Sequence, residues 1–260
     1  MHVLQICDNV RLMFAIHPVP EDLAAYVACF WTLAAPASDE AHPPIAPDGC
    51  CEWIIHLQDA PLVARDETWR RQPREFVFGQ LDGPLVLQSD RAMRCIGVRF
   101  HPFALAPLLR VSGGALASEE LEFSALRPCQ GLCDRDTLRE ALRDVVAMLR
   151  KLVREARPID ALVVEACRHL ASPDDARIAA LARRLRVSPR TLERRFKAEV
   201  GLSPKRYGRI ARMQRSLAAL SSSGARAVDV AQALGYADQA HFTRELASLA
   251  GVRPGEVLTR

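Results

Sequence analysis

The chain has 260 residues, 49% of them hydrophobic and 25% charged, with a formal net charge of +4. That length accommodates one or two domains and a core that needs no disulfide staples, and the mix excludes a disordered or collagen-like chain. The charge is unevenly distributed: residues 1–157 carry 17 basic and 21 acidic side chains, residues 158–260 carry 18 and 10, so an acidic half precedes a basic half suited to a nucleic acid.

The N-terminus, Met1-His2-Val3-Leu4-Gln5-Ile6-Cys7-Asp8, lacks the basic and apolar regions of a secretory signal. The longest apolar run, residues 24–35, is too short to span a bilayer. A cytoplasmic location is expected, with no membrane partner. Residues 21–33 read as a helix. The rest of residues 1–110 reads as short strands at 53–57, 76–79, 85–87 and 95–100, punctuated by turns such as Pro47-Asp48-Gly49 and Asp82-Gly83-Pro84. Strands at this spacing suggest a small barrel or sandwich.

The pattern turns helical after Pro102, first over 104–110 and then over 136–155. In the second stretch Leu138, Leu142, Val145, Leu149 and Leu152 are spaced 4, 3, 4 and 3, an a/d seam of about two heptads. Two readings stand side by side: the seam packs on its own N-terminal domain, or it is the dimer helix of a homodimer. Arg157-Pro158 marks a joint. The expected division is a β-rich sensor domain at 1–112, a helical connector at 113–157 and a DNA-binding domain at 158–260.

The basic half contains an internal repeat. Residues 178–200 read as helix, turn, helix, with Leu181, Ala182 and Leu185 facing inward on the first helix. Ser188 is the cap and Pro189 the first residue of the second helix, Leu192 and Phe196 form its apolar side, and Gly201 ends it. Val230-Ala231 repeats Leu181-Ala182 at an offset of 49. After a turn one residue longer, Phe242, Leu246, Gly251 and Pro254 repeat Leu192, Phe196, Gly201 and Pro204 at an offset of 50, and Arg244 falls on Arg194. Two helix-turn-helix units therefore lie in tandem, joined by a helix from about Pro204 to Leu220.

A helix-turn-helix binds DNA by laying its second helix in the major groove. With the apolar side inward, Arg190, Glu193, Arg194 and Lys197 point outward in the first unit, and Gln239, Ala240, His241 and Arg244 in the second. Arginine matches guanine, glutamine adenine and a carboxylate cytosine. Residues 177–215 carry 13 basic and two acidic side chains, whereas 224–260 carry four of each. The first unit and joining helix should supply most phosphate affinity, through Ser188, Thr191, Arg195, Lys197, Lys205, Arg206, Arg209 and Arg212.

The stretches 190–197 (RTLERRFK), 200–204 (VGLSP) and 235–245 (GYADQAHFTRE) resemble the DNA-binding domain of AraC/XylS-type transcription regulators over residues 178–257. The resemblance implies seven helices, with base contacts from Arg190, Glu193 and Arg194 and from Gln239, His241 and Arg244. Leu246 stands where an aromatic is usual, and Arg253-Pro254 where Ser/Thr-Pro is usual. Pro47-Asp48-Gly49, Phe78-Gly79 and residues 97–102 (GVRFHP) resemble the sensor domain of one branch of these regulators, which implies a cupin-like barrel. The expected fold class is thus α+β, a small cupin-like β-barrel followed by an all-α domain. The expected function is sequence-specific binding of duplex DNA under control of a small-molecule effector, with RNA polymerase as a further partner of an activator. The two recognition helices should lie about 34 Å apart, one DNA turn.

Three other readings follow from the chemistry. A cupin enzyme needs a close His-x-His pair with Glu and a further His, but His42, Glu52, His56 and His101 are scattered, so no catalytic residue, metal or cofactor is expected. An alkyl-transfer repair protein needs a four-cysteine zinc site, whose spacing Cys7, Cys29, Cys50 and Cys51 lack. A thiol- or metal-responsive regulator would draw on the eight cysteines, with Cys129 and Cys133 as its pair, and would keep the same DNA-binding output.

Overall fold

A computed structural model describes residues 13–65, 68–116, 120–122, 132–134, 137–172, 178–222 and 224–258. The first half contains strands β1 (Met13–His17), β2 (Val27–Ala35), β3 (Glu52–His56), β4 (Leu62–Arg65), β5 (Thr68–Arg71), β6 (Glu75–Phe78), β7 (Leu87–Gln88), β8 (Met93–Phe100) and β9 (Glu120–Glu122). They form one sheet in the order β1-β2-β8-β3-β6-β9 and a second in the order β5-β4-β7. The paired strands are antiparallel. Among the described residues no strand pairing closes either sheet, so the expected small barrel is built as two open sheets. The α+β class holds.

The central strands of the larger sheet are buried on both faces, and their two-residue period sorts the side chains. On one face Trp53, Ile55, Val77, Val98 and Phe100 join a core with helices α1 (Leu105–Leu109) and α2 (Leu138–Glu155). The opposite face, with Trp31, Glu52, His56, Phe78, Cys95 and Arg99, looks into a cavity. This double burial explains one failed expectation. Residues 21–33 form only a 3-10 turn at Glu21–Leu23 before β2 begins. An apolar run buried on both sides carries no alternation, so its period does not separate strand from helix. Pairing with β8 decides for strand.

The seam on α2 is likewise settled by burial. Val145, Leu149 and Leu152 are buried in the core beneath the sheet, and Leu142 packs against the same cluster. Of the two readings of Leu138, Leu142, Val145, Leu149 and Leu152, this burial supports packing on the chain's own sheet over a dimer helix, since the sheet covers the centre of the seam within one chain. Thr137 caps the helix, its Oγ1 accepting from the Glu140 N–H at 3.2 Å. Within the segment expected as a connector, residues 138–155 thus form a layer against the N-terminal sheet.

The second half has seven helices among the described residues: α3 (Ala161–Ala171), α4 (Ile178–Arg184), α5 (Pro189–Val200), α6 (Pro204–Leu220), α7 (Ala227–Ala233), α8 (Gln239–Ala250) and α9 (Pro254–Leu258). Each long helix begins where a cap stands. Ser188, Ser203 and Asp238 accept from the N–H of Thr191, Arg206 and His241. Helices α5 and α8 end on Gly201 and Gly251, both left-handed, with φ of +87° and +70°. One core holds both units, including Leu181, Leu192, Phe196, Phe242 and Leu246, which are all at most 1% exposed. Leu246 fills its site despite the departure from an aromatic. At Arg253 the missing hydroxyl cap is partly replaced, since the Glu256 carboxylate accepts from the Arg253 N–H at 2.8 Å.

Candidate functional site

Two surfaces converge in this fold: the outward faces of α5 and α8, and the cavity that lies across the domain boundary from them. On α5, Arg190, Glu193, Arg194 and Lys197 are exposed, opposite the buried Leu192 and Phe196. Ser188 and Thr191 sit at the cap, their hydroxyls 2.9 Å apart. On α8, Gln239, Ala240 and Arg244 are exposed at the corresponding positions. His241 differs. Its ring packs edge-on against Tyr236 with centroids 5.5 Å apart, and its Nε2 lies 3.8 Å from Glu245. It turns toward the protein as much as outward.

Several basic residues read as phosphate contacts hold the protein together. Arg195 makes a two-pronged pair with Asp160 at 2.5 and 2.7 Å, joining α5 to the start of α3. Arg206 donates to the Asp82 carbonyl of the N-terminal domain. Arg209 and Arg212 both reach Glu245, at 2.9 and 2.7 Å. A phosphate would have to share these guanidiniums with their present acceptors. Lys197 and Lys205 remain exposed.

Glu245 is a site residue that the sequence reading passed over. It is 3% exposed at its side chain and fastens the second recognition helix to α6. Burial pushes its carboxyl up, but Arg212 and Arg209 together prevail and hold it below the usual carboxylate range. Arg212 also lies over the Tyr236 ring at 4.2 Å from its centroid, and the Tyr236 hydroxyl meets Ser216 at 3.2 Å. The turn and the recognition helix of the second unit are thus set from one face of the joining helix. The available signal was the arginine pair three residues apart on α6. Glu245→Gln should cost about 2 kcal/mol, the scale of charge-assisted hydrogen bonds whose guanidinium partners still reach water. A urea midpoint unchanged from wild type would contradict that role.

The cavity has a volume of about 750 Å³, within the range of small-molecule sites. Its walls are mostly apolar. At one end Arg99 pairs with Asp48 at 2.7 Å and with Glu52 at 2.9 Å. Trp31 donates to Glu52 at 3.2 Å and lies across Gly97, where a Cβ would sit 1.9 Å from the indole. Glycine there is a space requirement that the motif of residues 97–102 did not explain. His56, 1% exposed, lines the cavity with Gln72 beside it, and at least one of its ring nitrogens has no hydrogen-bond partner. Burial holds its pKa down to about 4, against a smaller upward pull from Gln72.

The cysteines of this region are poor thiolate candidates. Burial raises the pKa of Cys29, Cys50 and Cys51, and that of Cys95 to about 12. Cys7 and Cys129 lie outside the described residues, as does the side chain of Cys133, so the proposed Cys129/Cys133 pair is not placed. Among the described residues no group of three or more His, Cys, Asp or Glu is arranged to hold a metal ion, and no helix is long and apolar enough to cross a membrane.

The wall of the cavity is also the seat of the helical C-terminal half. Pro47 accepts from the Gln214 amide on α6 at 2.6 Å. Gly49, at φ +79°, lies under the Tyr207 ring, where a Cβ would come within 2.7 Å. Both recognition helices end on the N-terminal domain. Gly201 meets Gly113, each leaving less than 3 Å for a Cβ on the other, and Gly251 rests on Pro84 and Pro44. Arg157 adds a pair with Glu199 at 2.7 Å. The two capping glycines, equivalent in the repeat, thus touch the same neighbouring domain.

Residues 181–260 match a family described as a helix-turn-helix domain, and residues 15–122 match a domain of unknown function, DUF6597. No curated protein matches the chain. Among solved structures, the C-terminal domain of AraT, a response regulator from Geobacillus stearothermophilus, is similar at 26% identity. It covers 39% of this chain and 87% of its own, with a TM-score of 0.36. An AraC-type regulator from Chromobacterium violaceum is 24% identical over 38% of this chain and 89% of its own, with a TM-score of 0.36. ToxT from Vibrio cholerae O395 is 14% identical over 88% of this chain and 97% of its own, with a TM-score of 0.48.

Proposed function

We propose that this chain is a transcription regulator of the AraC type: residues 181–260 match a helix-turn-helix domain family and fold as two such units in tandem. The observation that carries the reading is the equivalence of two units whose recognition helices both keep an exposed polar face opposite a buried apolar one. Arg190, Glu193 and Arg194 read bases in one major-groove segment. Gln239 and Arg244 read the next, with His241 joining them after a ring rotation. Lys197 and Lys205, with Ser188 and Thr191, hold phosphates, and Arg195, Arg206, Arg209 and Arg212 do so only by sharing their present acceptors. The partner is duplex DNA, and the chain acts in the cytoplasm.

Control enters through the cavity, which takes a small-molecule effector. Residues 45–50 form part of its wall and at the same time bear on α6. A ligand that prefers one placement of this segment shifts the seating of both recognition helices, because only differential affinity moves such an equilibrium. An RNA polymerase contact belongs to this reading if the chain activates.

The test is a selection from random duplexes. Arg194→Ala should lose preference at one base position, worth about 1–3 kcal/mol. Lys205→Ala should weaken all sequences alike and lower the salt slope by about one. Equal losses by both variants on selected and random duplexes would overturn the assignment.

A further inference from the structure

We infer that the cavity accepts an elongated apolar monocation, its cationic group held between Asp48 and Glu52 and a hydrogen-bonding group at its far end meeting His56. This rests on the reading of the cavity as the effector site and names the chemistry of its ligand.

The charge balance of the wall carries the first part. Two carboxylates face one guanidinium, so with all three ionised the cluster holds an excess negative charge. Arg99 is already committed to both partners. Its Nε and the Trp31 Nε1 both donate to Oε1 of Glu52, and its terminal nitrogen also meets that oxygen, so Oε2 takes no part in these contacts. A ligand carboxylate would have to displace one of these carboxylates and face the other. A ligand cation would be attracted by both. Burial pushes the Glu52 carboxyl up against the opposing pull of Arg99, a strain that an incoming positive charge relieves.

His56 carries the second part. It is a polar side chain 1% exposed and lines the same cavity, and Gln72 is the one hydrogen-bonding side chain beside its ring. One amide cannot serve both ring nitrogens, so at least one is left for a polar atom of the ligand. Glu52 and His56 stand four residues apart on the same face of β3, which separates the two ends by about 13 Å at 3.3 Å per residue. Between them lie Ile54, Trp31 and Cys95, an apolar span that fits an alkyl or aryl body.

The experiment uses the full chain and three probes of one shape, 4-phenylbutylammonium, 4-phenylbutanol and 4-phenylbutyrate, read by calorimetric titration and thermal shift. The ammonium should bind about tenfold more tightly than the butyrate, the ratio expected for one modest charge interaction. Glu52→Gln should reduce that preference to about threefold or less, and Asp48→Asn serves the same purpose if Glu52→Gln fails to fold. A para-hydroxyl on the ammonium probe should tighten binding to wild type but not to His56→Leu. Butyrate binding as tightly as the ammonium would overturn the ligand class and leave the effector cavity standing. A preference that survives both carboxylate variants would place the cation elsewhere and overturn the proposal. No binding by any probe would overturn both the class and the cavity's role.

Discussion

Leu149→Ala should lower the stability of the chain by about 3–5 kcal/mol while leaving its solution mass unchanged wherever the variant is folded. Leu149 is fully buried at the centre of α2, in one cluster with Val145, Leu152, Val98 and Phe100. Removing three carbons from that position forfeits their transfer energy and opens a cavity between helix and sheet. A seam used between two chains would behave differently: truncation would reduce mass at low concentration and spare the monomer. Urea unfolding together with sedimentation separates the cases. A variant with wild-type stability and halved mass would restore the dimer helix.

His56→Leu should change the pH dependence of stability by about 3 kcal/mol between pH 6.5 and pH 4. In the unfolded chain a histidine titrates near 6.5, whereas burial holds His56 at about 4 in the fold. Below pH 6.5 the unfolded state takes up a proton that the folded state refuses, so stability falls as pH drops through this window and levels below about pH 4. Glu75 runs the opposite way. Burial raises its pKa to about 7, eased by a hydrogen bond from Trp53 at 3.2 Å. Its contribution is full below its unfolded value and fades as pH rises toward 7. The two act in opposite directions in wild type. In His56→Leu the upward slope from His56 is removed, so between pH 4.5 and 6.5 stability should fall more, or rise less, with pH than in wild type. Parallel profiles for the two proteins would show that His56 is not held neutral by the cavity.

Much of the C-terminal half is legible in the sequence, because its signals are local. Ser188-Pro189, Ser203-Pro204 and Gly201 fix helix ends by hydrogen bonding and backbone conformation over a few residues. The repeat of Leu192 and Phe196 in Phe242 and Leu246 follows from the helical period. The roles of Arg195, Arg209 and Arg212 were not legible, since a basic residue on a helix looks the same whether it meets a phosphate or a carboxylate from a distant helix. Asp160 lies 35 residues from Arg195, and Glu245 lies 36 and 33 residues from Arg209 and Arg212.

In the N-terminal half the strands with turn residues on both sides were found, and residues 21–33 were misassigned because both faces of β2 are buried. The cavity left almost no trace in sequence. Its polar residues, Asp48, Glu52, His56 and Arg99, come from a loop and two strands that only sheet pairing brings together. By itself the sequence determined that the chain carries two helix-turn-helix units, where the second helix of the first unit and the joining helix start and stop, and which faces turn outward, since periodicity and caps are short-range physics. The tertiary structure decided that the α2 seam is internal, that Glu245 anchors the second unit, and that the wall of a 750 Å³ cavity supports the reading domain. Those depend on long-range packing, where the energy of a side chain is set by the partner it meets.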